Sequence, residues 1–130
     1  MRESVSQFVR FAAIGVGGFL VDASFVYFLT TSGLDLISSK LIGYFFAVIF
    51  TWALNRNVTF KKFKSANWIG ELIMYFSATF IAALVNNGSY ILLVFLIPFF
   101  EAYPVLAVAV GALAGMFFNF FSSKKIVFKA

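Results

Sequence analysis

Residues 11–31 read FAAIGVGGFLVDASFVYFLTT, an unbroken apolar stretch in which Asp22 is the one formal charge. A bilayer core about 30 Å thick is crossed by roughly 20 helical residues rising about 1.5 Å each. The stretch meets that length. It is too long for a signal-peptide core and no small-x-small cleavage site follows it, so it is expected to stay as an anchor.

Outward from this span, three more stretches have the same character. One runs from about Leu41 to Leu54, extended by Ile37 to Lys40 and by Asn55 onward; the others cover about Leu72 to Ile97 and about Val105 to Phe121. Composition agrees. Of the 130 residues 62% are hydrophobic and only 12% charged, and mean hydropathy is +0.98. A water-facing surface needs roughly 25% charged residues, so this chain is expected to face hydrocarbon. The predicted fold class is an all-α integral membrane protein with four transmembrane helices, one domain over residues 1–130.

Basic residues set the expected orientation. Arg2, Arg10, Arg56, Lys61, Lys62, Lys64, Lys124, Lys125 and Lys129 fall on the side of the N-terminus, middle loop and C-terminus, whereas Lys40 falls on the other side with Asp35 and Glu101. The positive-inside rule then places both termini in the cytoplasm. The net charge of +5 belongs to this topology signal, so no nucleic-acid partner is expected. The outer turns are Ser32 to Ser39 and Pro98 to Pro104, while the basic 61–70 loop with Trp68 suits the headgroup interface.

The chain also reads as two copies of one helical hairpin. Asn55-Arg56-Asn57-Val58-Thr59-Phe60-Lys61 parallels Ser123-Lys124-Lys125-Ile126-Val127-Phe128-Lys129, an offset of 68 residues (55 against 123), which also pairs Gly43 with Gly111, Ala47 with Gly115 and Thr51 with Asn119. The first helices align at an offset of 65 (22 against 87), pairing Phe11 with Phe76, Asp22 with Asn87 and Ser24 with Ser89. Repeat one is expected over about 8–61 and repeat two over about 72–129. Two helices per copy make the repeats parallel, not inverted.

Chemistry concentrates in few residues. Counted from Arg10, Asp22 lies about 18 Å along its helix, near the bilayer centre, where a bare carboxylate costs at least about 2.5–3.5 kcal/mol. Substrate contact, proton coupling and a structural hydrogen bond to Asn86 or Asn87 are its readings. Gly43, Ala47, Thr51 and Asn55, like Gly111, Gly115, Asn119 and Ser123, form small-xxx-small stripes that let helices approach closely, and Gly15 and Gly18 read the same way. Amides at Asn55, Asn87 and Asn119 need a partner in protein, water or ligand. Arg56, Lys124, Lys125 and Arg10 at the helix ends suit a phosphate cradle or plain anchoring; anchoring accounts for Lys61, Lys62, Lys64 and Lys129.

Catalytic groups are missing. Without Cys or His, thiol chemistry, Cys/His metal sites and a histidine base are excluded. Glu3, Asp22, Asp35, Glu71 and Glu101 are scattered, and no Gly-rich phosphate loop occurs. No catalytic residue, metal or cofactor is expected.

The Arg10-Phe11 start, the glycines and Asp22 of the first helix, Asn55-Arg56-Asn57-Val58-Thr59-Phe60 and the closing Ser123-to-Phe128 element together resemble the GtrA-like family of small four-helix membrane proteins, over nearly the whole chain. The resemblance implies flipping of polyprenyl-phosphate-linked monosaccharides across the bacterial or archaeal cytoplasmic membrane for envelope polysaccharide glycosylation. It implies membrane glycosyltransferases as partners, and it makes Asp22, Asn55, Arg56, Lys124 and Asn119 candidate substrate positions, joined from the repeat by Asn87. Arg10, Arg56, Lys124 and Lys125 are the candidate phosphate ligands. Four helices enclose little space, so a homo-oligomer, most simply a dimer, is expected in contact with membrane lipid. A small cation or drug exporter built on Asp22 and a scaffold for a glycosyltransferase are the competing readings.

Overall fold

The computed structural model describes residues 2–130, the side chains of residues 104 and 105 excepted. Five α-helices follow one another: α1 (Arg2–Thr31), α2 (Leu36–Leu54), α3 (Trp68–Leu96), the short α4 (Pro98–Ala102) and α5 (Pro104–Ser122). Among the described residues there is no strand, and α1, α2, α3 and α5 lie in four segments long and apolar enough to cross a membrane. The all-α membrane architecture is therefore present. α1 begins well before the apolar stretch does. Its first turns are polar, and helix needs only compatible propensity there, not hydropathy.

Each turn has a local cause. After α1 the chain reverses at Gly33, whose φ of +101° suits a residue without Cβ. Asp35 then caps α2, its carboxylate accepting the Ser38 N–H at 2.9 Å, as an N-cap residue does. The Ser38 backbone bond, aided by the Ser38 hydroxyl, holds the Asp35 carboxyl below its usual range. At the far turn, Pro98 and Pro104 open α4 and α5. Ile97 and Tyr103 before them leave the helical region, as residues preceding proline tend to.

Two compact units divide the chain, one through Trp68 and the other from Ile69. In the first, α1 packs antiparallel on α2. A Cβ added at Gly43 would lie 2.5 Å from Asp22 Oδ1 and 3.0 Å from the Asp22 carbonyl oxygen, and one at Gly18 would strike Thr51. In the second, α3 packs on α5 in the same way: a Cβ at Gly111 would lie 2.6 Å from the Asn86 carbonyl, and one at Gly115 would lie 3.0 Å from that of Ala82. These glycines are where backbones meet, the geometry small residues allow. Gly15 is different, with nothing within 4 Å of its Cβ direction.

These contacts fix the register of the first helices. Asp22 meets Gly43 as Asn86 meets Gly111, and buried Gln7, Phe11 and Gly18 match buried Glu71, Tyr75 and Ala82. The packing offset is 64 (22 against 86), not the 65 that matches Asp22 with Asn87. Residue identity favours 65 through Phe11–Phe76, Asp22–Asn87 and Ser24–Ser89; helix facing decides for 64.

The segments matched at offset 68 have the same local form. Asn55–Thr59 and Ser123–Val127 are π-helical turns, closed by Phe60 N–H to Asn55 O at 2.8 Å and Phe128 N–H to Ser123 O at 2.9 Å. Each delivers a phenylalanine into its own hairpin. Phe60 is fully buried 6.5 Å from the Phe11 ring, and Phe128 is buried 6.3 Å from the Tyr75 ring. Outside these seams the helices present Phe19, Phe28, Leu92 and Phe95 outward, an apolar exterior suited to lipid rather than water.

Candidate functional site

Asp22 is not alone in α1. Its Oδ2 takes an ion pair from Lys40 Nζ at 2.7 Å, and the two side chains are 16% and 63% exposed. Lys40 lies near the start of α2, so the pair sits toward the 32–35 turn, about 14 Å short of the end of α1 at Thr31. The flexible four-carbon stem of lysine brings its ammonium to the carboxylate while keeping it half in the open. Asp22 Oδ1 faces Gly43 and is buried without a hydrogen-bond partner, as is Ser39 Oγ one turn before Gly43. One carboxylate oxygen is thus paired with the ammonium and the other is desolvated. In the sequence Lys40 is only the cation on the side of Asp35 and Glu101. An antiparallel hairpin turning near Gly33 puts residue 22 opposite 43, within reach of a lysine one turn away.

The other end of the same hairpin is basic. Arg10, Lys61 and Lys62 line a cavity of about 230 Å³ with Glu3, Gln7 and Thr59. The π-turn positions Thr59, whose hydroxyl donates to Asn55 Oδ1 at 2.7 Å, and the following 3₁₀ turn, Lys61–Phe63, carries the two lysines back toward α1. Asn55 is nearly fully buried and serves this turn. Anchoring accounts for Lys61 and Lys62 in the sequence; their place beside Arg10 depends on the turn geometry, which charge counting does not reveal.

Arg56 is held elsewhere. Its guanidinium donates to the Ser65 carbonyl oxygen and lies 5.7 Å from the Trp52 ring centroid, and Trp52 in turn packs 6.3 Å from Trp68. These contacts tie the 60–68 connection to the end of α2, a use of the planar, weakly hydrated arginine fork that lysine would not serve as well.

In the second unit the matching positions differ in detail. Lys124 is buried, its Nζ 6.0 Å from the Phe120 ring centroid, and Glu71 is buried at the same end. Lys125 Nζ donates to the Ala130 carbonyl at 3.2 Å. Asn119 Oδ1 accepts from Ser123 Oγ at 3.4 Å, a long bond. Asn87 is exposed and donates to Ala83 O within its own helix. Of the candidate residues, Asp22, Arg10, Asn55 and Arg56 belong to the first unit, and Asn87, Asn119, Lys124 and Lys125 to the second.

Comparison with known proteins gives the same class. Residues 10–128 match the family described as the GtrA/DPMS transmembrane domain. The chain is also similar to an uncharacterized membrane protein, YngA, of Bacillus subtilis (strain 168). The two are 26% identical over 128 residues, which cover 98% of this chain and 83% of the relative.

Proposed function

The chain belongs to the GtrA/DPMS transmembrane-domain family, and on that premise we propose that it flips polyprenyl-phosphate-linked monosaccharides across the cytoplasmic membrane of a bacterium or archaeon. The lipid-linked sugars then feed glycosylation of cell-envelope polysaccharide. One observation carries this reading: the first hairpin holds two polar stations at different levels of one helix. Arg10 stands at the basic cavity, and the Asp22–Lys40 pair stands twelve residues further on, about 18 Å along α1.

A lipid-linked sugar has a phosphate and hydroxyls that resist hydrocarbon and a tail that prefers it. A protein that moves it supplies polar stops for the head and leaves the tail in lipid, against faces as apolar as those carrying Phe28 and Phe95. The cations take the phosphate at the cytoplasmic rim. Further in, the Asp22–Lys40 pair offers both an acceptor and a donor to sugar hydroxyls. Both ends of the chain lie in the cytoplasm in this reading, a membrane glycosyltransferase supplies or consumes the substrate, and a dimer widens the path.

The cation-exporter reading fares worse on the same geometry, because Asp22 already holds a cation from its own chain. Reconstitution into liposomes with a labelled polyprenyl-phosphate sugar tests the proposal. Protein-dependent transbilayer movement that falls in Asp22→Ala is expected. Absence of movement, together with efflux of cationic dyes, would move the assignment to the exporter.

A further inference from the structure

The two hairpins share their buried seams but not the chemistry of their basic ends. The packing register pairs Gln7 with Glu71 and Arg10 with Met74; the π-turn register pairs Thr59 with Val127, Lys61 with Lys129 and Lys62 with Ala130. In the first hairpin Arg10, Lys61 and Lys62 line the cavity with Glu3 as the one carboxylate and Gln7 as a buried neutral amide. In the second, Lys129 is the cation that remains among these positions, and the amide is replaced by buried Glu71. There the buried carboxylate shares its end of the hairpin with buried Lys124, whereas the first hairpin sets a neutral amide among exposed cations.

We propose that the cavity of the first hairpin is a phosphate-binding site formed by Arg10, Lys61 and Lys62, of which Lys61 alone has a matching cation, Lys129, at the register positions of the second hairpin. The site deepens the translocation reading above and rests on it for the lipid source of the phosphate. Its volume of about 230 Å³ falls below the roughly 300–1,000 Å³ of pockets that enclose drug-sized ligands, so it takes a head-group fragment and not a whole lipid. Three cations against Glu3 match the charge of a phosphate ester, and the guanidinium of Arg10 offers paired N–H donors to its oxygens. Lys61 and Lys62 thereby become binding residues. The site also gives the first hairpin a loading position, at the end of α1 opposite the Asp22–Lys40 pair.

Isothermal titration of the purified full-length chain in detergent tests this with two probes, inorganic phosphate and citronellyl phosphate, a short isoprenoid monophosphate. Arg10→Gln and the double variant Lys61→Gln/Lys62→Gln alter exposed side chains, and thermal unfolding verifies that each is folded. Each is expected to weaken binding by about tenfold to a hundredfold, the worth of a charge-assisted hydrogen bond. Lys129→Gln, altering the matched cation of the second hairpin, is expected to bind within about twofold of the parent if charge at the cavity, not screened charge at a distance, decides affinity. Binding of both probes with these losses assigns recognition to the phosphate itself; binding of citronellyl phosphate alone assigns it to a lipid headgroup. Two results overturn the site: no binding of either probe by the parent chain, or equal losses in Lys129→Gln and the cavity variants. Binding needs no transbilayer movement, so a chain that binds but does not flip keeps the site and loses the transport reading. A chain whose flipping ignores Arg10→Gln does the reverse.

Discussion

Gly111→Ala puts the helix seam of the second hairpin under direct test. The added methyl would lie 2.6 Å from the Asn86 carbonyl oxygen, 3.0 Å from Asn86 Oδ1 and 3.4 Å from the Tyr90 nitrogen. The nearest and the farthest of these are backbone atoms of α3, which no rotamer change can clear. An ordinary carbon–oxygen contact near 3.4 Å therefore requires α3 and α5 to separate by roughly 0.8 Å, opening gaps along a seam whose dispersion contacts decay within that distance. Overpacking of this kind costs about 1–3 kcal/mol, against a gain of up to about 1 kcal/mol from replacing glycine by alanine within a helix. With the full glycine-to-alanine gain the net loss is about 0–2 kcal/mol, which leaves Gly111→Ala about 1–3 kcal/mol less stable than an alanine that meets no clash. Reversible unfolding in mixed micelles, followed by far-ultraviolet circular dichroism, measures it. Gly15→Ala, with open space at its Cβ, serves as the control and should be neutral or stabilising. A Gly111→Ala protein as stable as the Gly15→Ala protein would falsify the close-approach argument.

Three further expectations follow from other parts of the molecule. Lys40→Met should destabilise by about 1–2 kcal/mol, less than the roughly 3–5 kcal/mol for breaking a fully buried pair because Lys40 is largely exposed; the double-mutant cycle with Asp22→Asn should recover most of the loss, and additive losses would show the pair to be idle. Asp35, whose carboxyl is held low by the Ser38 N–H, stabilises the fold at pH values above its unfolded pKa of about 3.9, and that contribution disappears as pH falls through the lower folded value. Thermal midpoints measured from pH 6 to pH 3 should therefore fall less steeply for Asp35→Asn, which keeps the cap without the titration; an unchanged slope would count against the assignment. Phe60→Ala and Phe128→Ala should each cost about 3–5 kcal/mol, as truncations of buried aromatic side chains do, and a cost below about 1 kcal/mol in either would remove its role as the plug of that hairpin.

The helices were legible because crossing a bilayer demands length and apolarity, and residues 11–31 display both. The glycine stripes were legible for a similar reason: spacing by four puts Gly43 and Ala47, or Gly111 and Gly115, on one helix face. Facing between helices was harder. Two adjacent asparagines offered two registers, and the choice of Asn86 over Asn87 rests on which side chain turns toward Gly111, information that enters only with the crossing geometry. Lys40 illustrates the limit for the candidate site. Its partner is eighteen positions away, and nothing local in the sequence announces the pair. By sequence Lys61 and Lys62 look like the anchoring cations Lys64 and Lys129; a turn gathers them beside Arg10.

The π-helical turns at Asn55–Thr59 and Ser123–Val127 have one more consequence. Closing on the fifth preceding carbonyl instead of the fourth takes up one residue beyond an α-turn, roughly 100° of azimuth. Each turn thus acts as a clutch between two angular settings: the helix before it keeps its glycine edge on the seam, while the residues after it aim Phe60 or Phe128 inward. Deleting one residue within such a turn would leave the preceding helix in phase with its seam yet swing the plug away from it. The aim of the last turn is thereby independent of the phase of the span that leads to it.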